Sequence, residues 1–249
     1  MTIFYFTGTG NSLFAAQKIA NSTGAKLVSI PQVIYEKHEY ADDCIGFVYP
    51  QYAIGLPKMV RSFILNNTFK ADYLFAVDLY AFIRFGALRE IAGIITLNYG
   101  SYLKTPGNFI FLFGPPKNPS TVLYKAENKL AQIISDISNR KNKPIKPRKN
   151  VGNATKYFGE SGFKVTEDCQ KCGTCERVCP AGNINLSVDV VFGKKCETCF
   201  ACVNLCPVQA IYSNAAKQGR RQYKNPMIST DEIIEANSGT QMVHNAIAE

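Results

Sequence analysis

The stretch IFYFTGTGNSLFAAQKIANSTG, residues 3 to 24, decides the architecture of the first half of the chain. Its four leading residues are apolar or aromatic, the composition of a buried strand. A loop of glycines and hydroxyl residues follows. Beyond it Leu13, Ala16, Ile19 and Ala20 fall on one helical face, and Gly24 is a stop signal. Strand, loop and helix in that order are the opening unit of an α/β sheet.

The unit recurs along the chain. KLVSI (26–30), CIGFVY (44–49) and YLFAVDLY (73–80) read as further buried strands, with helices over LPKMVRSFILNN and GALREIAGIITLN. NFIFLF (108–113) is the expected fifth strand. The segment 120–141, with an apolar stripe through Leu123, Ala126, Leu130, Ile133, Ile134 and Ile137, is the helix that closes a domain over residues 1–141. Such alternation predicts a doubly wound parallel sheet with helices on both faces. The run 139–150 then carries six basic residues and two prolines, and residues 142–160 read as a basic linker.

The chain has 249 residues, 46% hydrophobic and 19% charged, with 16 Phe and 13 Tyr, so it can bury a core and global disorder is excluded. No apolar run approaches the ~18 residues of a membrane span. The first residues lack the basic and apolar regions of a secretory leader. A cytoplasmic location is expected, where clustered thiols serve as metal ligands more often than as disulfides.

Eight of the nine cysteines form two sets 27 residues apart. Cys169, Cys172, Cys175 and Cys179 are followed by Pro180, and Cys196, Cys199, Cys202 and Cys206 by Pro207. Two zinc sites would also use eight ligands, but zinc modules separate two C-x2-C pairs by a longer span. C-x2-C-x2-C sets three thiolates at the corners of one small cluster, and the fourth cysteine, three residues on and followed by proline, serves the other cluster. The pattern is that of a bacterial two-cluster ferredoxin, placed here at 161–214 in a small α+β fold. By the crossed arrangement Cys169, Cys172, Cys175 and Cys206 hold one [4Fe-4S] cluster, and Cys196, Cys199, Cys202 and Cys179 the other. The ninth, Cys44, starts a buried strand and reads as structural.

The loop TGTGNS (7–12) lies between the first strand and the first helix, where backbone N–H groups converge on a space suited to phosphate. It has no lysine, so it is not a Walker loop, and no third glycine at position 13, so it is not a dinucleotide fingerprint. Thr7, Gly8, Thr9, Gly10, Asn11 and Ser12 suit one phosphate monoester. This loop resembles that of flavodoxins, T-x-T-G-x-T/S, whose five-stranded sheet runs 2-1-3-4-5 and binds FMN at its strand ends. The resemblance implies that the flavin ring sits between the loops after the third and fourth strands. Those correspond to Pro50, Gln51, Tyr52 and Ala53, and to Tyr80, Phe82, Phe85 and Gly86. The bulky YAFIRF of the second loop departs from the glycine-rich form that relatives often carry.

Taken whole, the chain is similar to the anaerobic flavodoxin/ferredoxin fusion proteins of the EFR type, up to about residue 230, with a C-terminal extension over 215–249 that contains RRQYKNP (220–226). The resemblance implies two [4Fe-4S] clusters and FMN, and an electron-transfer function linking one-electron clusters to a two-electron flavin and to redox protein donors and acceptors. An FMN-dependent reductase of a small organic substrate is the second reading, and a cluster-bearing docking module without flavin the third. The formal charge of +9 does not by itself argue for nucleic acid. Two ligated clusters and a flavin phosphate, each about −2, would bring it to about +3. His38 and His244 are isolated, so no catalytic histidine is expected.

Overall fold

The computed structural model describes residues 1–52, 55–109, 114–148, 162–213 and 221–239. The first half contains β1 (Thr2–Tyr5), α1 (Asn11–Thr23), β2 (Lys26–Ser29), α2 (Ile30–Val33), β3 (Glu39–Ala41), β4 (Cys44–Pro50), α3 (Lys58–Asn66), β5 (Thr68–Lys70), β6 (Tyr73–Tyr80), α4 (Ala87–Ile91), β7 (Tyr99–Lys104) and α5 (Pro119–Ser138). Five strands form one parallel sheet in the order β2-β1-β4-β6-β7. The near-continuous apolar runs of β1, β4 and β6 are what burial on both faces requires. A short parallel pair of β3 and β5 stands apart from it.

Helices α1 and α5 pack together on one face of the sheet. On the other, Glu90 of α4 accepts from Arg61 of α3 at 2.8 Å and from the Leu56 backbone N–H at 3.0 Å. An aromatic cluster of Phe4, Tyr40, Phe47, Phe63 and Phe69 fills the sheet beneath α3. Cys44 is buried in the core, and burial pushes its thiol up to about 11.

The fifth sheet strand is Tyr99–Lys104 and not the expected 108–113. Residues 108–109 are irregular, and 110–113 lie outside the described residues. YGSYLK lacks the apolar continuity of the other strands because its outer edge is covered by the basic stretch that follows α5. There Gly100 donates to the Lys143 carbonyl at 3.1 Å, Lys143 donates to that of Asn98 at 2.8 Å, and Ile145 lies against Gly100. Residues 143–148 thus lie along the sheet edge. The helix expected over 86–98 is also shorter, ending at Ile91 ahead of Gly93.

The second half contains β8 (Lys164–Val165), α6 (Thr174–Arg177), β9 (Ile184–Leu186), β10 (Val190–Phe192), α7 (Ala201–Leu205) and β11 (Ile211–Tyr212), with β9 paired to β10 and β8 to β11, both antiparallel. Its backbone repeats with the 27-residue offset of the cysteines. Left-handed φ values occur at Lys171 and Thr198, at Gly173 and Phe200, and at Gly182 and Gln209. Four of these six residues, Lys171, Thr198, Phe200 and Gln209, are not glycine and would not choose that region freely, since a left-handed Cβ costs ~1–2 kcal/mol on an L-residue.

The chain then returns. Residues 221–229 and α8 (Thr230–Asn237) form a strap over both halves. Ser229 caps α8 in a reciprocal capping box with Glu232. Ile228, Ile233 and Ala236 are buried, and Asn237 donates to the Val178 carbonyl at 2.9 Å.

Candidate cluster and phosphate-loop sites

The eight clustered cysteines converge on two separate, small cavities of ≈ 20 Å³ each. Cys169, Cys172, Cys175 and Cys206 line the outer one. Cys179, Cys196, Cys199 and Cys202 line the inner one, with Phe163 and Phe200 among its apolar walls. Each cavity therefore takes three thiols from one repeat and the fourth from the other.

Backbone donors address the sulfurs in matched pairs. Lys171 and Thr198 donate to Cys169 and Cys196 Sγ at 3.4 and 3.3 Å, two residues on in each repeat. Asn183 and Ala210 donate to Cys179 and Cys206 Sγ at 3.3 Å, four residues on. The left-handed residues turn these N–H groups inward. Such N–H···S bonds stabilise charge on a thiolate-ligated centre and so bear on its potential. Burial pushes the Cys175 thiol up to about 11 and raises Cys199 and Cys202 further. As free thiols these side chains are held protonated, a state that binding to iron would replace.

The inner cavity is set against the N-terminal half. Glu197, almost fully buried, lies beside the backbone N–H groups of Lys58 and Met59 at the start of α3, and burial pushes its carboxyl up to about 7 despite them. Lys58 Nζ donates to the Cys196 carbonyl at 3.3 Å. Asn108 Nδ2 donates to the Cys199 carbonyl at 3.0 Å, and Asn204 Nδ2 to that of Asn108 at 2.9 Å.

At the carboxyl ends of β1, β4, β6 and β7 a third cavity of ≈ 50 Å³ opens. Thr7, Gly8, Thr9, Asn11 and Ser12 form its floor, Pro50, Gln51 and Tyr52 one side, and Tyr80 the opposite side. Thr105, Pro106, Gly107 and Asn108, which follow the fifth strand, complete it and are not among the flavin contacts expected from the sequence. Thr7, Thr9 and Ser12 are buried, and the Gly10 N–H donates to Thr7 Oγ1 at 3.1 Å. The side chain of Asn11 is taken up by the protein, donating to the Pro106 carbonyl and accepting from Tyr223 and Asn225 at 2.7 and 3.1 Å.

Tyr52 does not lie across the mouth as a free ring. It is buried edge-on to Phe6, with ring centroids 5.9 Å apart, and its hydroxyl has no hydrogen-bond partner among the described residues. Gly10 holds a left-handed φ of 95°, and its other side is closed by the strap: a Cβ there would come within 3.1 Å of both Asn225 and Ile228. Asn225 donates to the Thr9 carbonyl at 2.9 Å.

Phe82, Phe85 and Gly86 stand outside this cavity. Phe82 and Phe85 are exposed at 48% and 44%, and Gly86 precedes α4. Gln51 pins this loop, donating to the Ile83 carbonyl at 2.9 Å and accepting from the Phe85 N–H at 2.7 Å. Ala53 and His244 lie outside the described residues. Asp78 is wholly buried; burial pushes its carboxyl up to about 7, and it accepts from the Leu88 N–H at 3.3 Å.

Residues 162–219 match the family model of a 4Fe-4S dicluster domain. No curated protein and no solved structure matches the chain. Residues 162–219 are thus an iron–sulfur module of ferredoxin type, the kind of domain that transfers electrons. No helix among the described residues is long and apolar enough to cross a membrane.

Proposed function

We propose that the protein is an iron–sulfur flavoprotein that moves low-potential electrons between two [4Fe-4S] clusters and FMN within one chain, and exchanges them with redox protein partners in the cytoplasm. The observation that carries the cluster part is the division of eight thiols between two separate cavities, three from one repeat and one from the other in each. That division is what the crossed C-x2-C-x2-C-x3-C-P arrangement needs.

For the flavin, the support is the sheet and its loop. Counted among the sheet's own strands, β2-β1-β4-β6-β7 is the order 2-1-3-4-5, and the TGTGNS cavity opens beside β1, where the order reverses. The residues fit the group in kind: buried hydroxyls and the start of α1 suit a phosphate, while residues 50–52, 80–81 and 105–108 would hold the remainder. When bound, FMN supplies a centre that accepts one or two electrons. The chain's own part is to bind its phosphate through backbone and hydroxyl donors, to exclude water with Tyr52 and the strap, and to fix its distance from the inner cysteines. No side chain is required as an acid or base.

The test is anaerobic reconstitution with iron, sulfide and excess FMN, followed by quantification per chain. About eight irons and one FMN are expected from this cofactor set. Four irons, or no retained flavin, would overturn the corresponding half of the proposal. A reductase of a small organic substrate would instead show turnover with such a substrate in the absence of a protein acceptor.

A further inference from the structure

One residue of the inner cysteine cavity is packed directly against residues that line the phosphate-loop cavity. Cys199 is a buried ligand candidate, and its carbonyl accepts from Asn108, which lines the other cavity. Gly8, in the loop floor, faces the same residue: a Cβ on Gly8 would lie 3.0 Å from the Cys199 carbonyl oxygen, 3.3 Å from its Cβ and 2.9 Å from Tyr52 Oη. Only a residue without a side chain lets the cysteine loop seat this closely. The partition between the two cavities is therefore the Cys199 backbone on one side packed against Gly8 and Asn108 on the other, with the Tyr52 ring beside it.

By contrast, the cavity of the four outer cysteines is lined by none of Gly8, Tyr52 and Asn108, and the outer Cys172 is exposed. Resting on the two-cofactor reading above, we propose that Cys199 is the ligand through which electrons cross between the inner cluster and the flavin, and that Gly8 and Asn108 are the positioning residues that hold it at the partition. Each crossing oxidises a reduced cluster by one electron and reduces the flavin by one. Two crossings yield the two-electron reduced flavin, whose proton comes from solvent at the cavity mouth. The outer cluster, next to exposed Cys172, takes electrons from an external protein donor.

The experiment uses the full chain carrying both cofactors. A photosensitiser with a sacrificial amine reduces the clusters in a flash, and the arrival of electrons on the flavin is followed by absorbance in the unsubstituted protein and in Asn108→Ala and Gly8→Ala. Iron content, the reduction potentials of the clusters and FMN affinity by fluorescence quenching are measured on the same samples. With FMN supplied in excess so that every variant is fully loaded, Asn108→Ala is expected to slow the transfer about tenfold, the order that a sub-ångström displacement of reacting partners costs, while dithionite still reduces the clusters at the original rate and the cluster potentials stay put. Gly8→Ala should slow it further, and if that variant fails to fold, Asn108→Ala carries the test alone. An unchanged transfer rate in Asn108→Ala with both cofactors in place would overturn the assignment of the route and leave the function standing. Failure of the unsubstituted protein to take up FMN would overturn both.

Discussion

The two cysteine cavities are built from the same twelve-residue pattern and the same left-handed turns, yet they occupy different environments. The outer set includes exposed Cys172 and half-buried Cys169. In the inner set Cys179, Cys199 and Cys202 are buried, and the loop that carries them is bonded to α3 and to residue 108 of the N-terminal half. The repeat specifies how each set of thiols is arranged; the neighbouring domain specifies which of the two equivalent cavities is sealed. An electron-transfer chain needs that asymmetry, one end open to a partner and the other closed against the next acceptor.

The comparison is broken most severely at the ligands. Cys202→Ser should remove the inner centre and loosen the whole interface, read as loss of iron together with rapid proteolysis between residues 140 and 165, because small metal domains draw much of their folding energy from the metal. Cys172→Ser should keep roughly half the iron and leave the interface protected. Equal consequences for the two would show that the inner site has no special structural role. Next in size is Glu197→Ala, which strips the start of α3 of a buried acceptor and should cost about 1–3 kcal/mol by anaerobic denaturant titration. The equivalent position of the other repeat, Gln170, lies by the outer cavity, and its substitution should be close to neutral.

A third prediction uses pH and lies in the sheet, away from the cysteines. The folded-state pKa of Asp78 is raised to about 7 by burial, above its unfolded value. The folded state therefore holds a proton that the unfolded state has lost between roughly pH 4 and 7, and stability falls as pH rises through that window, by at most ~1.4 kcal/mol per pH unit. Asp78→Asn should flatten that slope; an unaltered slope would place the titrating group elsewhere. The smallest effect is expected from Tyr223→Phe, which deletes the 2.7 Å bond from the strap to Asn11 and should cost about 1 kcal/mol without changing iron content.

What could be read from the sequence tracks how local the signal is. The strand at 3–6, the loop at 7–12 and the cysteine repeats are short continuous patterns, and each is found at its expected place. The fifth strand was misplaced because NFIFLF is more apolar than YGSYLK, whose edge is covered by Ile145 and the residues around it some 40 positions later. The same non-local packing explains Tyr52: in sequence it is an aromatic at a strand end, but its environment is made by Gly8, Phe6 and the cysteine loop. Thr105–Asn108 carry no local sign of a flavin contact because their place in the cavity depends on where the fifth strand ends. The strap was legible only as a polar tail with a short helix, since Asn225 and Tyr223 acquire meaning from contact with residues 9 and 11.

The central claim is that one chain's inner cluster feeds its own flavin across a fixed contact. It is tested most directly by flash reduction of the clusters in the reconstituted protein, following flavin reduction over a wide range of protein concentration. A first-order rate independent of concentration is expected. A rate that rises in proportion to protein concentration would mean that electrons pass between molecules, and would contradict the shared partition as their path.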